Sequence, residues 1–244
     1  MYPIARLAAP ALHLACTLAL LGCASTEGAY TEARRAHDLV NASTITLATF
    51  GESDEHPDVK RQLRDACAVL IFPHVGSASF LVGASVGAGI LLVHDAGSGQ
   101  WVGPAFYALD EASVGPQVGL AKRELIVVMH HCNGLDRLHD EQASLKIGTT
   151  FTAQAAERGR GVEVARDVRA YSRVNGLYVG AALQMAVLRP RKSLSDAYYM
   201  QPLTVAQILS PDRPCQEPLS QEIRYMIESA TKQEDHAPRS AGLH

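Results

Sequence analysis

The sequence predicts an α+β fold, rich in β-structure, in which a mostly antiparallel sheet curls, or closes part-way into a barrel, on helices from both ends of the chain. Three observations lead there. Apolar residues recur at helical spacing before residue 68, strand-like runs broken by turn residues fill Ala68 to Leu188, and glycines sit in pairs four apart inside those runs. At 244 residues and 47% hydrophobic composition, the chain can bury one core of ordinary size. Charged residues make up 19% and aromatics 6%. That balance excludes both a disordered chain and a partner such as nucleic acid, which calls for a strongly basic face.

Residues 1–22 read as a signal peptide. Arg6 gives a positive start, and Leu7 to Leu21 is an apolar run too short to cross a bilayer. The ending Leu20-Leu21-Gly22-Cys23 resembles the bacterial lipobox, in which the cysteine after the cut is acylated. Cys23 is therefore the expected lipid-attachment residue, and fatty chains such as palmitate hold a protein to a membrane at about 0.8 kcal/mol per buried methylene. Ala24 in the next position resembles sorting to the outer membrane, with the protein facing the periplasm or displayed outside. Losing Arg6 with the signal takes the net charge from −3 to −4. Cys67, Cys132 and Cys215 then remain, enough for one bridge whose members the spacing does not identify.

Residues 23–30 are small and polar and read as a tether. Ala36, Val40, Ser43, Leu47 and Phe50 follow at steps of three and four, one stripe of a helix. A second helix starts at His56-Pro57-Asp58, with proline in its first turn, and carries Val59, Leu63, Ala66 and Cys67 on one face. Val69 to Phe72 is a short strand stopped by Pro73. Gly97-Ser98-Gly99 joins Ile90–Val93 to Trp101–Tyr107 as a hairpin, and the wholly apolar Leu125–Met129 reads as a central strand. Asn133 caps a short internal helix ending at Glu141; strands resume over 144–154 and 169–188. Gly83 with Gly87, Gly115 with Gly119, and Gly176 with Gly180 each point to one face of a sheet and signal sharp bending or close backbone approach. Residues 200–232 form a helical extension, with pieces at Val205–Leu209 and Ser220–Thr231, and 233–244 a polar, disordered tail.

Gly83-Ala84-Ser85-Val86-Gly87 fits the G-x-S-x-G pattern of hydrolase nucleophiles. That elbow needs a helix after the serine, whereas Val86 to Val93 is glycine-containing and β-branched, so Ser85 reads as a strand residue and the protein as no enzyme. His130 and Cys132 share a strand face but supply two ligands where a metal needs three or four, so neither metal nor cofactor is expected. The feature with chemistry is a concentration of positive charge in an acidic chain: Arg158, Arg160, Arg169, Arg173, Arg189, Arg191 and Lys192 are the candidate contacts to anionic phospholipid.

Several segments taken in order, Val69–Pro73, Gly87–Val93, Trp101 with Pro104–Tyr107, Ser113–Gly115, and Tyr171-Ser172-Arg173 leading to Gly176–Gly180, resemble the SYLF domain over residues 31–199. The resemblance implies a non-catalytic domain that binds phospholipid or phosphoinositide headgroups, as eukaryotic members do, some binding actin as well; bacterial members are frequently lipoproteins. It also implies that the Ser85 segment is a glycine-patterned strand. A structural role, with a protein partner in the envelope or a host, is the alternative. The chain departs from the family at Ser77 and Ser79, where lysine and glycine are usual, at Ala155–Gly159, where a Gly-Pro loop is usual, and at Asn175, where a base is usual.

Overall fold

The computed structural model describes residues 8–52, 58–131, 145–148, 153–157, 160–164, 168–174, 177–180, 185–212 and 218–232. Two helices open the chain, α1 (Ala8–Gly51) and α2 (Asp58–Arg64). Two very long strands follow, β1 (Ala68–Asp95) and β2 (Gln100–Met129). Six short ones come next: β3 (Leu145–Gly148), β4 (Ala153–Glu157), β5 (Arg160–Val164), β6 (Val168–Val174), β7 (Leu177–Gly180) and β8 (Met185–Pro190). Helices α3 (Lys192–Tyr199), α4 (Val205–Ile208) and α5 (Pro218–Lys232) complete the order.

Among the described residues the strands form one eight-stranded antiparallel sheet, ordered β5-β4-β3-β8-β2-β6-β7, with β1 on β2. The α+β, β-rich reading is correct, and the sheet has two ends, so the barrel is not closed. β1 lines one edge of β2, while β8 takes residues 107–111 and β6 takes 123–129 of the other. Arg123 forms an ion pair with Glu111, although twelve residues of straight strand would hold them ~40 Å apart. β2 therefore folds back on itself between them. The fold falls where the β1–β2 register shifts, at Phe80/Val82 opposite Val118/Val114, beside Gly115 and Gly119.

The same bending brings the start of β1 across its own later half. A Cβ on Gly89 would lie 2.3 Å from the Ile71 carbonyl oxygen and 2.4 Å from the Phe72 ring. One on Gly87 would lie 3.0 Å from the His74 carbonyl oxygen. Glycine stands there because no side chain fits. Strand alternation then divides the core in two. Leu70, Phe72, Tyr107, Leu109, Leu125 and Val127 pack on the inner face, closed by Leu203, Val205, Ile208 and Leu209. Val69, Ile71, Phe106, Ile126 and Val128 face outward beneath Val40, Leu47, Phe50, Leu63, Tyr198 and Ile223 of the helices.

Pro73 does not stop the strand. β1 continues through it, and the register shift between Phe72 and Val75 absorbs the missing donor. Residues 24–30, expected as a tether, are helical and continuous with the rest of α1. Helix α3 was not foreseen: its eight residues bury only Leu194, Ser195 and Tyr198, too few turns for a clear stripe. Strand 144–154 resolves into β3 and β4, and 169–188 into β6, β7 and β8. The internal helix expected from Asn133 to Glu141 and the tail 233–244 lie outside the described residues.

Candidate functional site

Ser85 lies mid-strand, paired in register with Glu111 and 8% exposed. Its strand runs on for ten residues before the hairpin turn, so the strand-turn-helix of a hydrolase elbow is not what surrounds it. His130 Nε2 sits 3.1 Å from the Gln62 carbonyl oxygen, tying the end of β2 to α2, while His131 is exposed. Cys132 lies outside the described residues. Cys67, between α2 and β1, is disulfide-bonded. Its backbone N–H donates to the Met129 carbonyl and its carbonyl accepts from His94, so it marks the point where both ends of the long hairpin meet.

The basic residues divide into two groups. Arg189, Arg191 and Lys192 stand together where β8 passes into α3. The Arg191 N–H donates to the Phe106 carbonyl at 2.8 Å, which fixes the corner to β2. Arg189 pairs with Asp110, and Lys192 with Asp196 at 2.7 Å. Arg191 is exposed and carries no ion pair among the described residues. Arg169 and Arg173 stand on β6, which joins the other half of β2. Arg169 is exposed; Arg173 pairs with Glu124, whose second oxygen accepts from Thr46 of α1 at 3.5 Å. Arg160 opens β5 opposite Glu157 in register. Arg158 lies outside the described residues.

Sequence reasoning missed the acids that face these bases. Asp110 and Glu124 each interrupt β2, and a charge inside a strand of apolar alternation is the readable sign of a partner across the sheet. The Arg123–Glu111 pair is the most enclosed, with side chains 17% and 5% exposed. Beside it on the inner face, Ser172 Oγ and Arg123 Nε are buried without a hydrogen-bond partner among the described residues. Burial also raises the Tyr107 phenol well above its ordinary range, keeping it neutral in the inner core. At the hairpin turn, hydrogen bonds from the Ser98 side chain and N–H lower the Asp95 carboxyl.

The arrangement offers exposed guanidinium and ammonium groups at the β8–α3 corner and a second basic site on β6. Exposed ion pairs are weak, so those at the corner can exchange a carboxylate for a phosphate oxygen at little cost.

Comparison with known proteins gives a consistent family. Residues 110–230 match the Ysc84 family, described as Las17-binding protein actin regulator. The SH3 domain-containing YSC84-like protein 1 of Rattus norvegicus is 26% identical over 156 residues, 62% of this chain and 45% of the relative. LAS seventeen-binding protein 3 of Saccharomyces cerevisiae (strain YJM789) is 23% identical over 162 residues, covering 63% and 34%. Protein YSC84 of the same species is 22% identical over 187 residues, covering 73% and 39%. The match thus spans less than half the length of these relatives. No solved structure matches. With the ordered segments of β1, β2, β6 and β7 already on one sheet, the chain belongs to the SYLF family, whose matched region takes in β2 from Asp110 onward and the strands that pair with its second edge.

Proposed function

We propose that this is a lipoprotein of the bacterial outer membrane, acylated at Cys23, whose SYLF domain binds anionic phospholipid or phosphoinositide headgroups without catalysing a reaction. The observation that carries the reading is the exposed Arg189, Arg191 and Lys192 corner on a chain of net charge −3. Three features support it further. Leu20-Leu21-Gly22-Cys23 has the lipobox pattern, the Cys67 disulfide fits an oxidising compartment, and Ser85 lacks the surroundings of a nucleophile. Flotation of the Cys23→Ser chain, which carries no acyl group, with anionic vesicles tests it. Salt-sensitive binding is expected, weakened by charge reversal of Arg158, Arg160, Arg191 and Lys192 together; equal binding by that variant removes these residues from the mechanism.

A second reading has its own support in the family description, which names a protein partner and actin regulation. On that reading the domain is a docking module for an envelope or host protein. Capture of a defined partner by a chain that ignores vesicles decides for it.

A further inference from the structure

We infer that the β8–α3 corner is the surface that meets the bilayer, held there by α1 acting as a fixed spacer. The inference deepens the anchored lipid-binding reading above and rests on it. Helix α1 runs without a break through position 23 to Gly51, and its packed stripe begins at Ala36. Before that stripe, the Ser193 hydroxyl at the start of α3 lies 3.5 Å from a Glu32 carboxylate oxygen, which accepts its hydrogen bond. Further along, His37 stacks on Tyr198 at 4.8 Å between ring centroids. The direction of α1 relative to α3 is set at two points.

Glu32 is nine residues after Cys23, so at the helical rise the anchoring position stands about 14 Å from the corner. That distance is short beside a flexible linker's range of positions, and an unbroken helix permits far fewer orientations. Membrane attachment at position 23 therefore presents this end of the molecule first. Tyr30, 72% exposed, is seven residues after position 23, close to two whole turns, and so shares its helix face. Tyrosine is a side chain that favours the headgroup level. The corner itself presents Arg189, Arg191 and Lys192, of which Arg191 has no acidic partner among the described residues. Around it Arg34 and Arg35 are matched to Asp38 and Glu32, so among the described side chains the uncompensated charge of this end is positive. The hairpin turn before Gln100 is six strand residues from Phe106, about 20 Å along β2, and is the natural rival surface.

Hydrogen exchange of the acylated full chain on vesicles of equal parts phosphatidylcholine and phosphatidylglycerol tests the inference. Slowed exchange is expected at residues 28–35 and 189–193 relative to the chain in detergent, and the double variant Arg191→Glu, Lys192→Glu should lose the slowing at 189–193 while still floating through its lipid. Floating protein that is slowed instead at 95–99, or nowhere, overturns the corner and leaves the anchor standing. An acylated chain that does not float overturns the anchored reading, and the corner with it.

Discussion

Gly89 and Gly76 sit in the same strand and differ only in what surrounds them. A methyl group on Gly89 would collide with the Ile71 carbonyl and the Phe72 ring, while nothing lies within 4 Å of the corresponding position on Gly76. Backbone cannot swing aside as a flexible side chain can, so Gly89→Ala should lose about 1–3 kcal/mol in chemical denaturation, and Gly76→Ala should stay within about 0.5 kcal/mol of the parent. The Arg123–Glu111 pair gives a second contrast at this scale. Glu111→Ala leaves a guanidinium enclosed without its counter-charge and should lose about 3–5 kcal/mol, whereas the double change Glu111→Leu, Arg123→Met should recover most of that loss. A double variant no more stable than the single one would show that the pair sets the bend of β2 rather than merely balancing charge. None of this pairing was legible in the sequence, because Glu111 and Arg123 meet only through a fold in the strand that separates them.

At the scale of elements, legibility followed the length and regularity of the pattern. The stripe Ala36, Val40, Ser43, Leu47 and Phe50 identified the packed half of α1, and all five are buried. Leu125–Met129 identified the last part of β2 as central to the sheet, because a wholly apolar run has neighbours on both faces and both edges. Pro73 misled, since its missing N–H ends a regular ladder but is tolerated where a register shift leaves that donor unused. Helix α3 escaped because a helix held by two aromatic contacts, Tyr198 with Phe106 and with His37, shows no periodicity over eight residues. Short α4 depends on its start instead. Thr204 accepts from the Gln207 N–H while the Gln207 side chain accepts from the Thr204 N–H, and Thr204→Ala should lower stability by about 1 kcal/mol in thermal unfolding.

For the whole molecule, the glycine spacing announced curvature but not its consequence, an inner face and an outer face that each hold a separate apolar cluster. The basic cluster was legible as composition and dissolved in three dimensions into a corner on β8–α3 and a site on β6, because their strands join different stretches of β2. Cys67 is disulfide-bonded where α2 ends and β1 begins, against the inner cluster. Cys67→Ser should cost about 2–4 kcal/mol, with the parent falling to the same midpoint under reductant; an unchanged midpoint in both would show that the bridge adds nothing to the folded state.

The β1–β2 hairpin carries one more implication, for the order in which the chain assembles. Its paired residues are five apart in sequence at Asp95 and Gln100 and sixty-one apart at Ala68 and Met129, with the turn closed by the Gly99 N–H on the Asp95 carbonyl at 2.8 Å. Loop-closure entropy favours rungs near the turn, so the hairpin zips from Gly99 outward and reaches Cys67 last. The thiol at that position thus waits unprotected until the final rungs engage, and alkylation of Cys67 during refolding gives a clock for the completed sheet.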